Sequence, residues 1–566
     1  MSTQVQHRRG TAVEHEAFTG AMSEITHDTT GNNLRVHDGA KVGGYRTLME
    51  QELGVAGGIA TLDNTGNVPE AQLGNVPKSY DYASTVALSE AEVPAAITYL
   101  RTAGYSVVGD GGGALYKRVS SAPSHAGKVQ SADGAWWEYV PENGRINAKC
   151  FGAKGDNSSN DTTALNNAIG AVNLGLGHTI FIPAGRYLVF STLGYTNTTP
   201  GTAGIAIEGE DPTTTILVYS GSGDCISFTM GANTYRDTNR VAIRKLGILA
   251  ANTKPNATGS AISVYRSAVS SVTPGNLFED LYIWQDQRAW ANGIYQSNSQ
   301  ESWFNRLYIM LINNEQGSAI RIENSATQSS FGVFFKDCSF NGGQYGIYAT
   351  GWVETVVVDG CLIVGQVRPI FLDASTVSVG NPHFTMTNCH VNAKEHTIYT
   401  AKWRTIFIAG CDIYSGVGSG DTAGKNIICS NASYVKITGS KLDNGAAGSF
   451  QRDGISFDTV SQYQVTGCSI SNISGTGISI SGAPSVTGTL SDNIIEGFVD
   501  GTPNGTGIYA QGTAGATVAS GNIIDYFAVP ISFGGSNCIV SNNLARNCTS
   551  SFSNTGSGSI TVNNIG

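Results

Sequence analysis

The chain has 566 residues, a formal net charge of −10 and only 13% charged residues, against 40% hydrophobic residues and 71 glycines. This balance, without a basic cluster, argues against a nucleic-acid partner, and the recurring apolar runs argue against disorder. No run reaches the roughly 18 apolar residues of a membrane span, and "MSTQVQHRRGTAVEHEAF" lacks a signal-peptide core, so a soluble protein made in a cytoplasm, without membrane insertion, is expected. Ten cysteines form neither a CxxC pair nor a Cys/His metal spacing, so no metal and no cofactor is expected. Abundant Gly, Ser, Thr and Asn around apolar runs indicate a β-rich protein with many turns.

In residues 1–51, "FTGAMSEITHDTTGNNLRVHDGAKVGGYRTL" alternates strand-like pieces with turns. The pair Arg8-Arg9, the "FTG", the "VHDG" and the following "GG" resemble the amino-terminal motif of phage tail fibres and of the phage tropism-determinant family. "SEITHDTT" departs from it, because relatives usually carry a Gly-Glu pair there. The resemblance implies a virion anchor that binds a phage tail or baseplate protein. Residues 52–80 read as a linker or stalk, and their "GIATLD" and "VPEAQL" are similar to a segment that phage tail proteins carry at this place.

Residues 81–146 are expected to form a small connecting α+β module. A helix is predicted in "SEAEVPAAITYLRTAG", capped by Ser89 with Glu92 at capping-box spacing. The Gly109 to Gly113 cluster lacks the Lys-Ser/Thr of a phosphate loop and reads as a tight turn. Trp136 and Trp137 are expected to pack against the following domain.

Residues 147–566 open on "NAKCFGAKGDNSSNDTTALNNAIGAV", where Ala164, Leu165, Ala168, Ile169 and Val172 share one helical face and Asn160 or Asp161 supplies an N-cap. From there a turn residue, a small residue and an apolar pair recur. The markers are Leu246, Leu281, Leu307, Cys338, Cys361, Cys389, Cys411, Ser440, Cys468, Asn493, Asn522, Asn543 and Asn564. Their spacing averages roughly 26 residues, a solenoid period, and the absence of helices between them predicts a β-helix. Five cysteines then belong to one internal column continued by asparagines, stacked at about 4.8 Å. The helix would cap the open end of the solenoid, which gives Asp156 and Asp161 structural roles.

"FGAKGD", "NDTTALNNAI" and "IFIPAGRYLV" together resemble the amino-terminal signature of the pectate-lyase-like β-helix superfamily, shared by phage tailspike depolymerases. Asn160-Asp161-Thr162 stands where relatives usually have Asp-Asp-Thr. The resemblance implies a right-handed single-stranded parallel β-helix behind virion-attachment modules. It also implies a homotrimer on the virion tail, acting outside the host cell on a bacterial surface polysaccharide. The fold hosts hydrolases, lyases, epimerases and pure binders, so the chemistry must come from individual residues.

Side chains in one outer column stand about 4.8 Å apart on adjacent coils and about 9.6 Å two coils apart, which spans the carboxylate separations of glycosidases. Three regions qualify. Residues 276–323 hold Trp284, Trp290, Trp303, Tyr295 and Tyr308 with Asp286, Glu301, Glu315, Glu323, Arg288 and Arg306. A column three residues beyond the markers holds Tyr414, Asp443, Glu496 and Asp525, with Arg452, Asp453 and Asp458 near in sequence. Trp352, Glu354, His390, Glu395, His396, Trp403 and Arg404 form the third. Aromatic rings stack on sugars and carboxylates transfer protons. The catalytic candidates are therefore Asp286, Glu301, Asp443 and Glu496. The substrate-binding candidates are Trp284, Arg288, Trp290, Tyr295, Trp303, Arg306, Trp352 and Trp403. Hydrolysis by paired carboxylates is the first reading. A lyase using His or Tyr with Arg or Lys is the second, and a non-catalytic receptor-binding fibre and a load-bearing tail protein are the others.

Overall fold

The computed structural model describes residues 6–53, 59–64, 66–69, 80–197, 204–231, 240–267, 275–285, 287–298, 301–311, 316–325, 332–377, 380–415, 424–445, 453–482, 487–499, 502–511 and 515–566. They fall into two compact units, residues 1–79 and 80–566.

In the first unit, helix α1 (Ala12–Glu16) begins at a capping box between Thr11 and Glu14. A four-stranded sheet orders Arg8–Gly10, Ile25–Asp28, Asn33–Val36 and Tyr45–Arg46. Buried His15 and His37 share the Thr26 hydroxyl. Main-chain partners fix the protons of this network. His15 Nδ1 lies 2.9 Å from the Thr11 carbonyl and must donate, so its Nε2 accepts from Thr26, 2.8 Å away. The Thr26 oxygen then accepts from His37 Nε2, and His37 Nδ1 accepts from the Gly20 N–H. With neutral imidazoles the chain of bonds closes with no proton missing or surplus.

The second unit starts with a five-stranded sheet in the order Tyr80–Tyr82, Tyr99–Thr102, Leu115–Val119, Trp136–Tyr139, Lys128–Gln130. The expected helix at Ser89 is a correction: Ser89 ends helix α2 (Thr85–Ser89), which Ser84 caps. Beyond it Leu100 and Thr102 are buried and Tyr99 and Arg101 exposed, a period of two that makes a strand. The Gly109 to Gly113 segment is a turn around the Asp110 carboxylate, which accepts from the N–H groups of Tyr105, Ser106, Val107 and Gly112. Trp137 is fully buried in a core continuous with that of the solenoid, and its indole N–H donates to Ser131 Oγ.

Helix α3 (Thr162–Asn173) buries Leu165, Ala168, Ile169 and Val172 against the Ala148–Phe151 turn and the strand Leu193–Asn197 at the start of the solenoid. Asn160 accepts from the Thr162 N–H at its first turn. Asp161 instead turns back to accept from Lys154 N and Gly155 N, and burial pushes its carboxyl up. The Asp156 carboxylate is held well below its usual range by the N–H groups of Ser159 and Ser158.

The solenoid is a right-handed parallel β-helix of three ladders. Ladder A runs from Arg145–Asn147 to Ile560–Val562, ladder B from Asp156–Asn160 to Leu544–Arg546, and ladder C from Leu193–Asn197 to Ser553–Asn554. The long strands Val241–Ala250 and Asn276–Gln285 pass through the A–B corner and join those two ladders into one 29-stranded sheet, while C is a separate 14-stranded sheet. At the A–B corner the residue before each marker has a left-handed backbone: Lys245, Asp280, Arg306, Asp337, Gly360, Asn388, Gly410, Gly439, Gly467, Asp492, Gly521, Asn542 and Asn563. Gly, Asn and Asp tolerate that conformation best, which is why the repeat reads as a turn residue followed by a small one.

The markers themselves form the internal column. Cys361 N donates to Cys389 Sγ, Cys411 N to Ser440 Oγ and Cys468 N to Asn493 Oδ1. Asn493, Asn522 and Asn543 each donate N and Nδ2 to the Oδ1 of the next asparagine. The other amide proton goes to a main-chain carbonyl, as from Asn522 to Leu490 at 2.9 Å. All ten cysteines are free thiols, and the hydrogen bond with Cys361, then burial, pushes Cys389 up to about 12. Farther in, Phe278, Phe304 and Phe335 stack at 5.0 and 4.7 Å.

Candidate functional site

Residues 276–323 sit close in sequence, yet two successive coils send them to three outer faces and the interior. Trp303 stands on the outside of ladder A, stacked on Phe334 at 6.0 Å. Arg306, at the A–B corner, is bound by Asp280 and Glu279, which hold its guanidinium well above its usual range. Trp284 lies outside ladder B against Ile216, Val218 and Leu249. Arg288 is exposed and donates to the Asn252 carbonyl. Tyr295 lies outside ladder C and donates to Glu323. Glu301 is half-buried just before the ladder A strand Ser302–Asn305. Asp286, Glu315 and Arg452 lie outside the described residues.

Two of the substrate-binding candidates are corrected. Trp290 is 0% exposed, stacked on Tyr219 at 5.6 Å with the buried Lys254 ammonium 4.7 Å from its ring. Trp403 is 1% exposed and meets Phe384 edge-on. Neither presents a face to a sugar. Both are large rings that the solenoid spends on filling its corners, a use that aromatic content alone does not distinguish from ligand binding. Trp352, at the turn after the ladder C strand Tyr345–Thr350, is half-buried against the core.

The outer face of ladder B brings residues of all three regions together. Each marker is followed by outward residues at the first and third positions. The first column runs Tyr282, Tyr308, Ser339, Leu362, His390, Asp412 and Lys441, paired in register. The third-position column includes Asn392, Tyr414 and Asp443, and after a register shift Glu496 and Asp525. His390 Nδ1 lies 3.4 Å from Asp412 Oδ2, and its ring is 5.5 Å from that of Tyr414. Lys441 Nζ donates to the Tyr414 hydroxyl at 2.9 Å and lies 3.7 Å from Asp443. The Tyr414 hydroxyl, then Asp443, hold the Lys441 ammonium above its usual range. Asp443 accepts from Asn472 Nδ2 at 2.8 Å, and Glu496 is exposed two coils beyond Asp443. Asp525 is paired to Arg546 at 3.0 Å. Base, acid and cation types thus converge on one accessible strip.

Asp412 and Lys441 were not among the sequence candidates. The signal was there, in the position directly after each marker, which points outward as surely as the third position does. Ladder C carries a second set that sequence reasoning mostly missed. Asp224 accepts from Ser260 N, Ser263 Oγ and the Tyr265 hydroxyl. The Tyr295 hydroxyl and the Arg321 guanidinium both donate to Glu323, and the Tyr265 and Tyr295 rings are 5.3 Å apart. Burial, with Asp224 or Glu323 beside them, pushes Tyr265 and Tyr295 up to about 12. These carboxylates are held by neighbours on their own face, as Asp412, Asp443 and Asp525 are on ladder B, but ladder B adds the exposed Lys441 and Glu496, which makes it the better candidate. Among the described residues no group of His, Cys, Asp and Glu is arranged to hold a metal ion.

Residues 145–422 match the family model described as rhamnogalacturonase A/epimerase, pectate lyase-like, and residues 425–565 match the right-handed β-helix region. Residues 5–41 match the major tropism determinant N-terminal domain. A tail fibre receptor-binding protein of Bordetella phage BPP-1 is 58% identical over 45 residues, which is 8% of this chain and 12% of that protein. Among solved structures, the chain is similar to a tailspike protein of Acinetobacter baumannii bacteriophage Fri1, a capsular polysaccharide depolymerase, at 11% identity and a TM-score of 0.40, covering 84% of this chain and 75% of that one. It is also similar to WceF of Pantoea stewartii, a glycan biofilm modifying enzyme, at 12% identity and a TM-score of 0.39, covering 68% and 50%. The family matches and the tail-fibre relative support a phage tailspike with a pectate-lyase-like β-helix.

Proposed function

We propose that the chain binds and cuts a bacterial surface polysaccharide, a capsule, O-antigen or exopolysaccharide, on the outer face of ladder B, while residues 1–51 attach it to a phage tail or baseplate protein. The observation that carries this reading is the strip of His390, Asp412, Tyr414, Lys441 and Asp443, in register on three successive coils and partly exposed, with exposed Glu496 two coils farther on. The pectate-lyase-like match over residues 145–422 and the receptor-binding name of the amino-terminal relative support it.

Hydrolysis is the favoured chemistry. Asp443 and Glu496 stand two coils apart, roughly 9.6 Å along the axis, at the upper edge of the range for inverting glycosidases, where a water fits between base and sugar. Asp443, oriented by Asn472, would take the proton of that water, and exposed Glu496 would give one to the leaving oxygen. The Tyr414–Lys441 bond favours a second reading, β-elimination from a uronate. Lys441 would neutralise the sugar carboxylate and Tyr414 or His390 would take the adjacent proton. The proposal includes a homotrimer; a stable monomer in sedimentation would contradict that part.

The test incubates the full chain with a panel of purified capsule, O-antigen and exopolysaccharide, following polymer size, reducing ends and ultraviolet absorbance. New reducing ends without absorbance identify a hydrolase, and new absorbance identifies a lyase. Binding with no loss of size on the true receptor would make the protein an adhesin.

A further inference from the structure

Two kinds of aromatic column stand on the solenoid's outer faces, and they differ in what they leave uncovered. On ladder C, Tyr348 stacks on Phe371 at 5.4 Å and Phe371 on Tyr399 at 4.7 Å, with rings parallel within 10°. The Arg321 guanidinium lies over the Tyr348 ring at 4.5 Å. That column covers its own ring faces and shows mainly edges to solvent. On ladder B, Tyr282 and Tyr308 are tilted by 51° with centroids 5.5 Å apart, and they are 39% and 37% exposed. On the far side of Tyr308 the column neighbour is Ser339, too small to cover a ring, while beside Tyr282 the space over Gly247 is filled by the Pro212 carbonyl, the Trp284 ring and Ile216, so Tyr308 has the more open face.

From this difference we propose that Tyr282 and Tyr308 form a carbohydrate-stacking subsite for the same polymer that the charged strip cuts, so that the polysaccharide lies along ladder B parallel to the solenoid axis. The inference rests on the function proposed above. Both tyrosines share the column of His390, Asp412 and Lys441, with Ser339 and Leu362 between. Tyr308 is three coils from His390, roughly 14 Å at the strand spacing. Between them the outward positions are Ser339, Asn341, Leu362 and Val364, none of them charged. The ligand there is therefore an uncharged stretch of sugar, whose C–H faces pack on the rings while its hydroxyls stay in water. An enzyme with binding contacts this far from the reacting bond cuts within long chains.

The experiment compares wild type with Tyr308→Ala, Tyr282→Ala and Tyr308→Trp, using the panel polymer that wild type binds and its short oligosaccharide products. The alanine variants should raise KM on the long polymer about tenfold with kcat unchanged, since a lost stacking contact weakens only binding. Tyr308→Trp should restore KM, and kcat/KM on oligosaccharides too short to reach Tyr308 should not move. An unchanged KM on long polymer overturns the proposal, as does an equal loss on short and long substrates. If wild type binds without cutting, depolymerisation fails on its own, and the same variants are read by affinity. A tenfold weaker Kd then supports the subsite and an unchanged Kd overturns it. If wild type binds no polymer on the panel, the saccharide reading falls for both sites.

Discussion

Asn522 gives up no hydrogen-bonding capacity although it is fully buried. Its two amide protons go to Leu490 O and Asn543 Oδ1, and its oxygen accepts twice from Asn493. Asn522→Ala strands the Asn493 N–H and the Leu490 carbonyl in the interior and should cost about 3 kcal/mol in guanidinium unfolding. Exposed Asn547→Ala loses a bond to Asp525 and places Ala in a left-handed backbone, and should cost about 1 kcal/mol, well short of the buried Asn522. Thr26→Val in the first unit should cost about 2 kcal/mol, because it deprives both His15 and His37 of their shared partner, and Thr26→Ser should recover most of it. His396 adds a pH dependence. It is largely buried, its Nδ1 accepts from Lys425 N, and burial outweighs Glu395 to lower its pKa below the usual value. The unfolded chain then binds a proton that the folded one refuses. Stability from this group is full above about pH 6.5 and is lost as pH falls toward the lowered folded value. His396→Gln should flatten that acid limb in unfolding measured from pH 7 to 5.

At the scale of elements, the left-handed corner residue and the capping helix are the two devices that set the solenoid. Gly467 has open space around it, so Gly467→Ala tests backbone strain alone and should cost about 1 kcal/mol. Ile169→Ala removes the middle of the buried face of α3 and should cost about 2–4 kcal/mol, with earlier proteolysis near the solenoid entrance. Both devices were legible in the sequence, the corner as a recurring Asn, Asp or Gly and the helix as one apolar face. The helix predicted at Ser89 was not, because helical spacing in a short stretch with Pro94 cannot be told from the two-residue period of Tyr99–Thr102 until a sheet partner is known.

At the scale of the whole solenoid, position around the coil decides what a side chain does. Trp284, Trp290 and Trp303 fall within one turn of sequence, yet they face ladder B's exterior, the interior and ladder A's exterior. Composition marked the region but could not assign the faces. The column containing Asp443 and Glu496 was readable because it counts from the buried marker. His390, drawn from a different cluster, joins it only through strand register. The proposed function places one polymer-binding strip along ladder B. A crystal structure with a bound oligosaccharide product tests it most directly. Sugar density is expected beside Tyr414, Lys441 and Asp443, extending along the axis toward Tyr308. Density confined to ladder C beside Tyr265 and Glu323, or to the outside of ladder A beside Trp303, would contradict it.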